Sequence, residues 1–290
     1  MLLAEVAAAS AEVAALPGRK AKSARLATTL SAASPDEVPI VASWLSGELL
    51  QRRTGVGWRS LRDLPEPAAE PSLQIDEVDT IFAQLAALAG PGSATARTTL
   101  LRELWTRATT DEQRLLAGLV SGELRQGASA GLATDAVALA ADVPVALVRR
   151  ALTLQGSLPA VAAAALDGGD AALRAFSLEV GRGLTPMLAG TAADLDEAWQ
   201  RLGGEAAVDA KLDGIRVQVH KDGERVVVLT RSLDDVTARL PEVVEAVRAL
   251  PTVSLVLDGE ALVVDAGGRP RPFQETASRA ASTTGARLAP

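Results

Sequence analysis

The chain has 290 residues, of which 48% are hydrophobic and 22% charged, so it is long enough for two domains with buried cores. It has no cysteine and a single histidine, His220, which excludes disulfides, thiol nucleophiles and metal sites that need several imidazoles. The formal net charge of −7 is opposite to that expected of a nucleic-acid binder, so any phosphate-binding cations must be gathered locally.

From residue 1 to about 175 the chain has the pattern of a helical domain. Apolar residues recur every three or four positions, as in Ile81, Leu85 and Leu88. Clusters of proline and glycine predict helix ends at 16–18, 65–67, 90–92 and 167–170. The proline-rich segment 64–72 is predicted to be a linker between two groups of helices.

A short motif occurs twice in this helical part. Residues 46–51 read SGELLQ and residues 121–126 read SGELRQ. One interpretation is a duplicated helical hairpin in which the motif only preserves packing. The other is a pair of related turns that hold two stretches of phosphate backbone, because backbone N–H groups at helix N-termini bind phosphate without requiring a net positive charge. In that second interpretation the DNA-binding residues are Arg52, Arg53, Arg125 and Gly127.

From about residue 205 the apolar pattern changes to a period of two, which predicts strands. Residues 215–220 alternate between apolar and polar side chains, and Asp222-Gly223 before a valine-rich run predicts a β-hairpin. His220 falls on the polar phase and is expected to face solvent.

A helix that starts near Pro241 is predicted next, followed by a second pair of strands over 253–258 and 261–265. We therefore expect an α+β chain in which an all-helical domain precedes an antiparallel, β-rich domain, with the boundary between 176 and 190.

Lys211 lies in the pattern K-x-D-G-x-R, which ends at Arg216. A structural interpretation is an ion pair between Lys211 and Asp213 on a turn. A chemical interpretation is a nucleophilic lysine in a nucleotide site, because Arg231 ends the next predicted strand and Glu260 follows a later apolar run. The amine is nucleophilic only when neutral, so this role requires a lowered pKa, which nearby carboxylates would oppose. The chain has no P-loop motif.

The segments Lys211–Arg216, Arg231–Thr237 and Leu257–Glu260 resemble the first three nucleotidyltransferase motifs of the ATP-dependent DNA ligases. Residues 185–189 and 271–274 extend the resemblance on both sides of these motifs. The helical part is similar to the DNA-binding domain of actinobacterial ligases. The resemblance implies a DNA-binding domain over 1–178 and the N-terminal part of a nucleotidyltransferase (adenylation) domain over 179–290.

The resemblance also implies a reaction and a site. Lys211 would take AMP from ATP, pass it to the 5′-phosphate at a nick in duplex DNA, and allow the 3′-hydroxyl to displace it. In the family's pattern the other residues act on the nucleotide: Asp209 would read adenine, Arg216 and Arg231 would hold ribose and phosphate, and Glu260 would bind ribose or Mg²⁺. The expected setting is DNA replication, repair and recombination, by a monomer in the cytoplasm, associated with the nucleoid and independent of membranes.

Ligases of this type continue well beyond the position of Glu260, with further site residues and an OB domain, whereas this sequence ends at Pro290. We therefore expect the chain to seal nicks poorly. RNA ligases and mRNA-capping guanylyltransferases share the lysine motif, but the long helical domain argues against them. A non-catalytic DNA-binding fragment or degenerate ligase is the remaining alternative.

Overall fold

The computed structural model describes the chain apart from residues 52–53, 125–129, 186–188 and 282–290. It divides into two compact units, Met1–Ser177 and Leu178–Pro290. The first unit is helical, with a short 3₁₀ turn at Trp58–Leu61, and its α-helices are α1 Leu3–Ala15, α2 Arg19–Ala32, α3 Val38–Leu45, α4 Ile75–Ala87, α5 Ser93–Arg107, α6 Thr110–Ser121, α7 Ala130–Ala140, α8 Val145–Gln155 and α9 Leu158–Ala175.

One hydrophobic core holds the helical unit together. Trp44 of α3 and Phe82 of α4 are fully buried there and meet edge to face, with ring centroids 6.4 Å apart. The core draws apolar side chains from both sides of the segment 64–72. The predicted linker over 64–72 therefore connects helices that share one core. Its backbone is non-helical, as expected, but it lies against the shared core, and its Ala68 N–H donates to the Ala108 carbonyl over 2.9 Å.

The predicted helix ends at 16–18 and 90–92 are confirmed, and residues 65–67 lie in non-helical backbone. Pro17 and Gly18 separate α1 from α2, and residues 90–92 separate α4 from α5. The glycine pair near residue 168 falls inside α9, where Gly169 has the non-helical angles φ +57° and ψ −139° and kinks the helix.

In each copy of the repeated motif, the described residues form the turn that ends a helix. After α3, the N–H of Gly47 donates to Trp44 O over 3.0 Å and the N–H of Glu48 to Ser43 O over 3.0 Å. After α6, Gly122 and Glu123 make the corresponding bonds to Leu119 O and Gly118 O, over 3.3 and 2.9 Å. Both are Schellman turns, in which a residue with positive φ ends the helix.

This geometry corrects the phosphate interpretation in one respect. The N–H groups of the motif lie at helix C-termini, and they are used to satisfy the last carbonyl groups of α3 and α6. They are therefore not free donors at a helix N-terminus. The proposed phosphate-binding residues Arg52, Arg53, Arg125 and Gly127 lie outside the described residues.

The second unit contains a small antiparallel sheet with the strand order β2-β1-β3. The strands are β1 Ile215–Asp222, β2 Arg225–Thr230 and β3 Ser254–Ala261, the helices are α10 Leu195–Leu202, α11 Pro241–Arg248 and α12 Phe273–Ala281, and Thr237–Arg239 forms a 3₁₀ turn. This arrangement confirms the predicted hairpin and the predicted helix at Pro241. The α+β class is confirmed as well.

One face of the sheet is apolar and forms the core of this unit. Val217, Val219 and Val228 pack with Val244 and Val247 of α11. On the same face the buried ammonium of Lys221 donates to two backbone carbonyls at the end of α11, Arg248 O at 2.8 Å and Leu250 O at 2.6 Å. The side chain thus replaces the hydrogen bonds that the helix end cannot make for itself.

The prediction of a second strand pair is wrong. Ser254–Ala261 is one continuous strand, paired along its whole length with β1, so that Gly259 lies opposite Val217. Residues 258–260 have the composition of a turn, but the exposed end of an edge strand accommodates them in extended form.

The prediction that His220 faces solvent is also wrong. His220 lies on the polar phase of β1, yet only 1% of it is exposed. Residues 178–185, which we call the covering segment, lie over this face, and the N–H of Gly181 donates to His220 Nδ1 over 3.1 Å. The alternation of β1 gave the phase correctly, but it could not show that another part of the chain covers the second face.

We expect replacement of Gly122 by alanine to destabilise the helical unit by about 1 kcal/mol, because the residue has a φ of +69° in the turn after α6. Open space surrounds the position that a Cβ would take, so the loss reports backbone strain alone. Urea unfolding followed by the fluorescence of the buried Trp44 and Trp105 measures the change. Gly57→Ala is the matched control, since it also meets open space and has no positive φ. Equal losses in both variants would contradict this account.

The burial of His220 predicts a pH-dependent stability of the second unit. Burial lowers the pKa of the imidazole, and only the neutral ring accepts the Gly181 N–H. Because the folded pKa lies below the unfolded value of about 6.5, the stabilisation is complete above that pH and is lost as the pH falls, by at most about 1.4 kcal/mol per pH unit.

Hydrogen exchange of β1 peptides between pH 7.5 and 5.0, corrected for intrinsic exchange, measures this effect. His220→Gln is the control, because it removes the only histidine in the sequence and leaves every carboxylate in place. An identical pH dependence in the two proteins would refute the prediction.

Candidate functional site

The register of the sheet gathers most of the predicted site residues at one end. Arg216 lies directly opposite Glu260 in β3, and Val217 lies opposite Thr230, the last residue of β2. Arg231 therefore leaves the sheet at the end where β1 begins and β3 ends. Lys211 precedes β1 by four residues and reaches the same end.

Lys211 forms an ion pair with Asp213, two residues along the chain. Its side chain is 85% exposed. The hydrogen bond and charge of Asp213, with a smaller contribution from the charge of Glu260, raise the pKa of the lysine above its ordinary value. The free chain thus shows the structural ion pair that the sequence allowed, and it holds the amine in its protonated, non-nucleophilic form.

Arg216 makes a two-pronged ion pair across the sheet. Its Nε and Nη2 donate to the two carboxylate oxygens of Asp258 over 3.1 and 2.7 Å. The pairing raises the pKa of Arg216 and lowers that of Asp258. Directly opposite partners and their diagonal neighbours share one face of an antiparallel pair, so Arg216, Asp258 and Glu260 lie on the same face.

Gly214 is required by the contact between the motif loop and β3. Its N–H donates to Glu260 Oε1 over 3.1 Å, and a Cβ at this position would lie 2.5 Å from Ala261 O. A glycine permits this close approach because it has no side chain. In the structure the close approach is to the neighbouring strand, and it fixes the loop that bears Lys211.

The two remaining predicted residues stand at the margin of this group. Asp209 is exposed and its Oδ1 accepts from the N–H of Ala210 over 2.8 Å. Arg231 is exposed in the turn after β2, where the next residues Ser232 and Asp234 bond each other. The strand order brings Arg231 to the end of the sheet at which β1 begins. Asp209 is near this end only because it precedes Lys211 by two residues.

Sequence reasoning missed two residues of this region, Asp258 and Gln218. Asp258 lies within the recognised segment Leu257–Glu260 but was given no role, and it is the partner of Arg216. Gln218 lies directly opposite Asp258 and is buried beneath the covering segment. The period of two along β1 was the available signal, because it puts Gln218 on the same face as Arg216.

In the part of the chain that the structure describes, no group of three or more His, Cys, Asp or Glu side chains could hold a metal ion by itself. Over the same residues, none of the helices combines the length and the apolar character needed to cross a bilayer.

The helical unit has its own concave feature. The two repeated turns lie side by side, since a Cβ on Gly47 would be 3.8 Å from the Cβ of Leu124. Together they line a cavity of about 650 Å³, to which Gly55 and Leu119 also contribute. The repeat therefore forms one local surface in the helical unit.

Asp213→Asn is expected to lower the pKa of Lys211, because the carboxylate that stabilises the ammonium is removed. Acylation of Lys211 by an amine-reactive reagent, followed over pH by mass spectrometry, should then begin at lower pH than in the unchanged chain. Asp222→Asn, a change at the far end of β1, is the control and should leave the profile in place. If Asp213→Asn left the pH profile of acylation unchanged, the ion pair would not control the pKa of Lys211.

Two family models match the chain. One, described as "DNA ligase N terminus", matches residues 59–138. The other, described as "ATP dependent DNA ligase domain", matches residues 186–288 and so includes the whole of the sheet and its motif loop.

Relatives resemble the chain from end to end. A "Probable DNA ligase" of Beutenbergia cavernae is 60% identical, over 97% of this chain and 57% of that protein. Proteins of the same name from Mycolicibacterium gilvum and a Nocardioides species are 57% and 53% identical, over 96% and 100% of this chain. The chain spans between 55% and 58% of the length of these three relatives.

The matches cover both units, and the second model spans the motifs in which Lys211, Arg231 and Glu260 were recognised. Both units therefore match domains of the ATP-dependent DNA ligases, the first over residues 59–138 and the second over residues 186–288.

Proposed function

We propose that this chain carries out the nucleotide-dependent first step of DNA nick sealing, with Lys211 as the nucleophile. The observation that supports it most is the meeting of Lys211, Arg216 and Glu260 at one end of the sheet, within the span that matches the ligase domain. Lys211 Nζ, after losing a proton to solvent, attacks the α-phosphorus of ATP. A P–N bond forms, the P–O bond to pyrophosphate breaks, and AMP stays on the lysine.

The cations at this end of the sheet would bind the nucleotide. Arg216 and Arg231 are suited to phosphate and ribose oxygens, since guanidinium groups stay charged and donate in a fixed fork. Asp209 would accept from the amino group of adenine. In the free chain Arg216 is engaged by Asp258, so a phosphate must displace or share that carboxylate.

The donor set also suits Mg²⁺. Asp258 and Glu260 offer two carboxylates on one face, and Mg²⁺ in nucleotide sites is commonly held by one or two carboxylates together with substrate phosphates. When bound there, the ion would offset phosphate charge. Glu260 is its principal ligand in this proposal.

The helical unit, residues 1–178, would bind nicked duplex DNA. Arg52 and Arg53 follow the first repeated motif, Arg125 is part of the second, and Gly127 follows it. The described turns before these residues lie next to each other. The total charge is acidic, so such local pairs of contacts must supply the attraction to phosphate. The further assignments are a monomer associated with the nucleoid, acting in replication, repair or recombination.

A second function is supported by the paired state of the site. Both Lys211 and Arg216 are engaged by carboxylates in the free chain, as they would be in a protein that binds DNA without reacting with ATP. We therefore assign adenylation and DNA binding to the chain and keep DNA binding without adenylation as the alternative.

Incubation with α-labelled ATP and Mg²⁺, then with nicked duplex, tests these assignments. We expect label on the unchanged chain and on Lys20→Ala, a control at an exposed lysine of α2, and none on Lys211→Ala. Transfer of label to the 5′-phosphate at the nick would support the DNA assignment. Nick binding without label on the protein favours the non-catalytic alternative, and efficient sealing would overturn the expectation of weak activity.

A further inference from the structure

The covering segment is attached to β1 by a buried side chain amide. Gln218 Oε1 accepts from the N–H of Leu184 over 2.8 Å, and its Nε2 donates to the carbonyl of the same residue. Gln218 is 6% exposed. The side-chain amide thus satisfies both the backbone N–H and the backbone carbonyl of Leu184. These are the two hydrogen bonds that a neighbouring strand would make to that residue.

A second bond holds the same segment two positions further along β1. The Gly181 N–H donates to His220 Nδ1 over 3.1 Å, so Gln218 and His220 fix Leu184 and Gly181 in turn. Between these attachments Arg182 forms an ion pair with Glu179 over 2.6 Å within the segment itself. The segment is therefore ordered by the sheet beneath it and by its own charges.

The attachment at Leu184 lies where the covered part of the face meets the exposed site. Arg216 lies two residues before Gln218 in β1, so the two side chains share a face of the sheet. Asp258 lies directly opposite Gln218 in β3. Asp258 is also the residue that holds Arg216. The end of the covering segment is therefore adjacent, on one face, to the ion pair that a nucleotide phosphate must enter.

We propose that Gln218 is a positioning residue for the nucleotide site, because it fixes the covering segment as a wall beside the Arg216–Asp258 pair. This inference rests on the proposed function. With Gln218 intact, the wall limits the positions open to the nucleotide before it meets Lys211. With Gln218 replaced, ATP binds more weakly while Lys211 and its chemistry are unchanged.

Gln218→Met is the central variant, since methionine fills a similar space and makes neither bond to Leu184. Gln200→Met, at an exposed glutamine of α10, is the matched control. Leu184→Pro is a second variant, which removes the N–H donor from the segment side and leaves the sheet unchanged. It keeps the test open if Gln218→Met does not fold.

Two measurements are needed. Hydrogen exchange of a peptide over residues 178–185 should rise about tenfold in Gln218→Met and not in Gln200→Met, because two backbone-fixing bonds are lost. The Kd for ATP, titrated in a Lys211→Ala background so that no reaction occurs, should rise about fivefold. In the chain with Lys211 each protein molecule reacts once, so adenylation is followed as a single turnover. The ATP concentration for the half-maximal rate should rise by the same factor, at a constant maximal rate.

The outcomes separate this inference from the function on which it rests. Faster exchange with an unchanged Kd would overturn the positioning role, and unchanged exchange would show that Gln218 does not fix the segment. A fall in the maximal single-turnover rate at an unchanged half-saturating ATP concentration would also overturn it. Failure of every variant, the unchanged chain included, to bind ATP would refute the proposed function and this inference together.

Discussion

The site depends on the register of β1 between its two neighbours. That pairing places Arg216 opposite Glu260 and brings the exit of β2, with Arg231, to the same end of the sheet. A slip of one residue would turn Val217 and Val219 away from α11 and move Arg216 into the core. The apolar face therefore enforces the register, and the register assembles the site. The required glycine at 214, in close contact with Ala261, holds the motif loop to this frame.

Two of the positively charged side chains of the site are paired with carboxylates of the chain itself. Lys211 is paired with Asp213, and Arg216 with Asp258, in an acidic chain. Exposed pairs of this kind stabilise a fold only slightly, because solvent screens them and the side chains lose freedom. In the proposed function their larger consequence is chemical, because a triphosphate would have to compete with these carboxylates for the same cations. A divalent ion that occupies those carboxylates would favour the exchange.

Lysine and histidine are uncommon in this sequence, and the fold buries one residue of each type. Lys211, the lysine of the predicted site, is exposed, whereas Lys221 is buried and binds the end of α11. The lone histidine was assigned to solvent, yet it lies beneath the covering segment. Both differences have one cause. Strand alternation tells which residues share a face, whereas burial depends on what a distant part of the chain places over that face.

The sequence by itself determined the helical first part, the hairpin around Gly223, the helix at Pro241 and the motif that identifies the family. These features are local, since backbone preferences and residue spacing act over a few positions. Only the tertiary structure decided that residues 254–261 form one strand, that the repeated turns end helices, and that Asp258 and Gln218 border the site. Those facts depend on contacts between residues far apart in the chain, such as Gln218 with Leu184 and Arg216 with Asp258. No local pattern encodes such contacts, because a residue's neighbours in space are chosen by the packing of the whole unit.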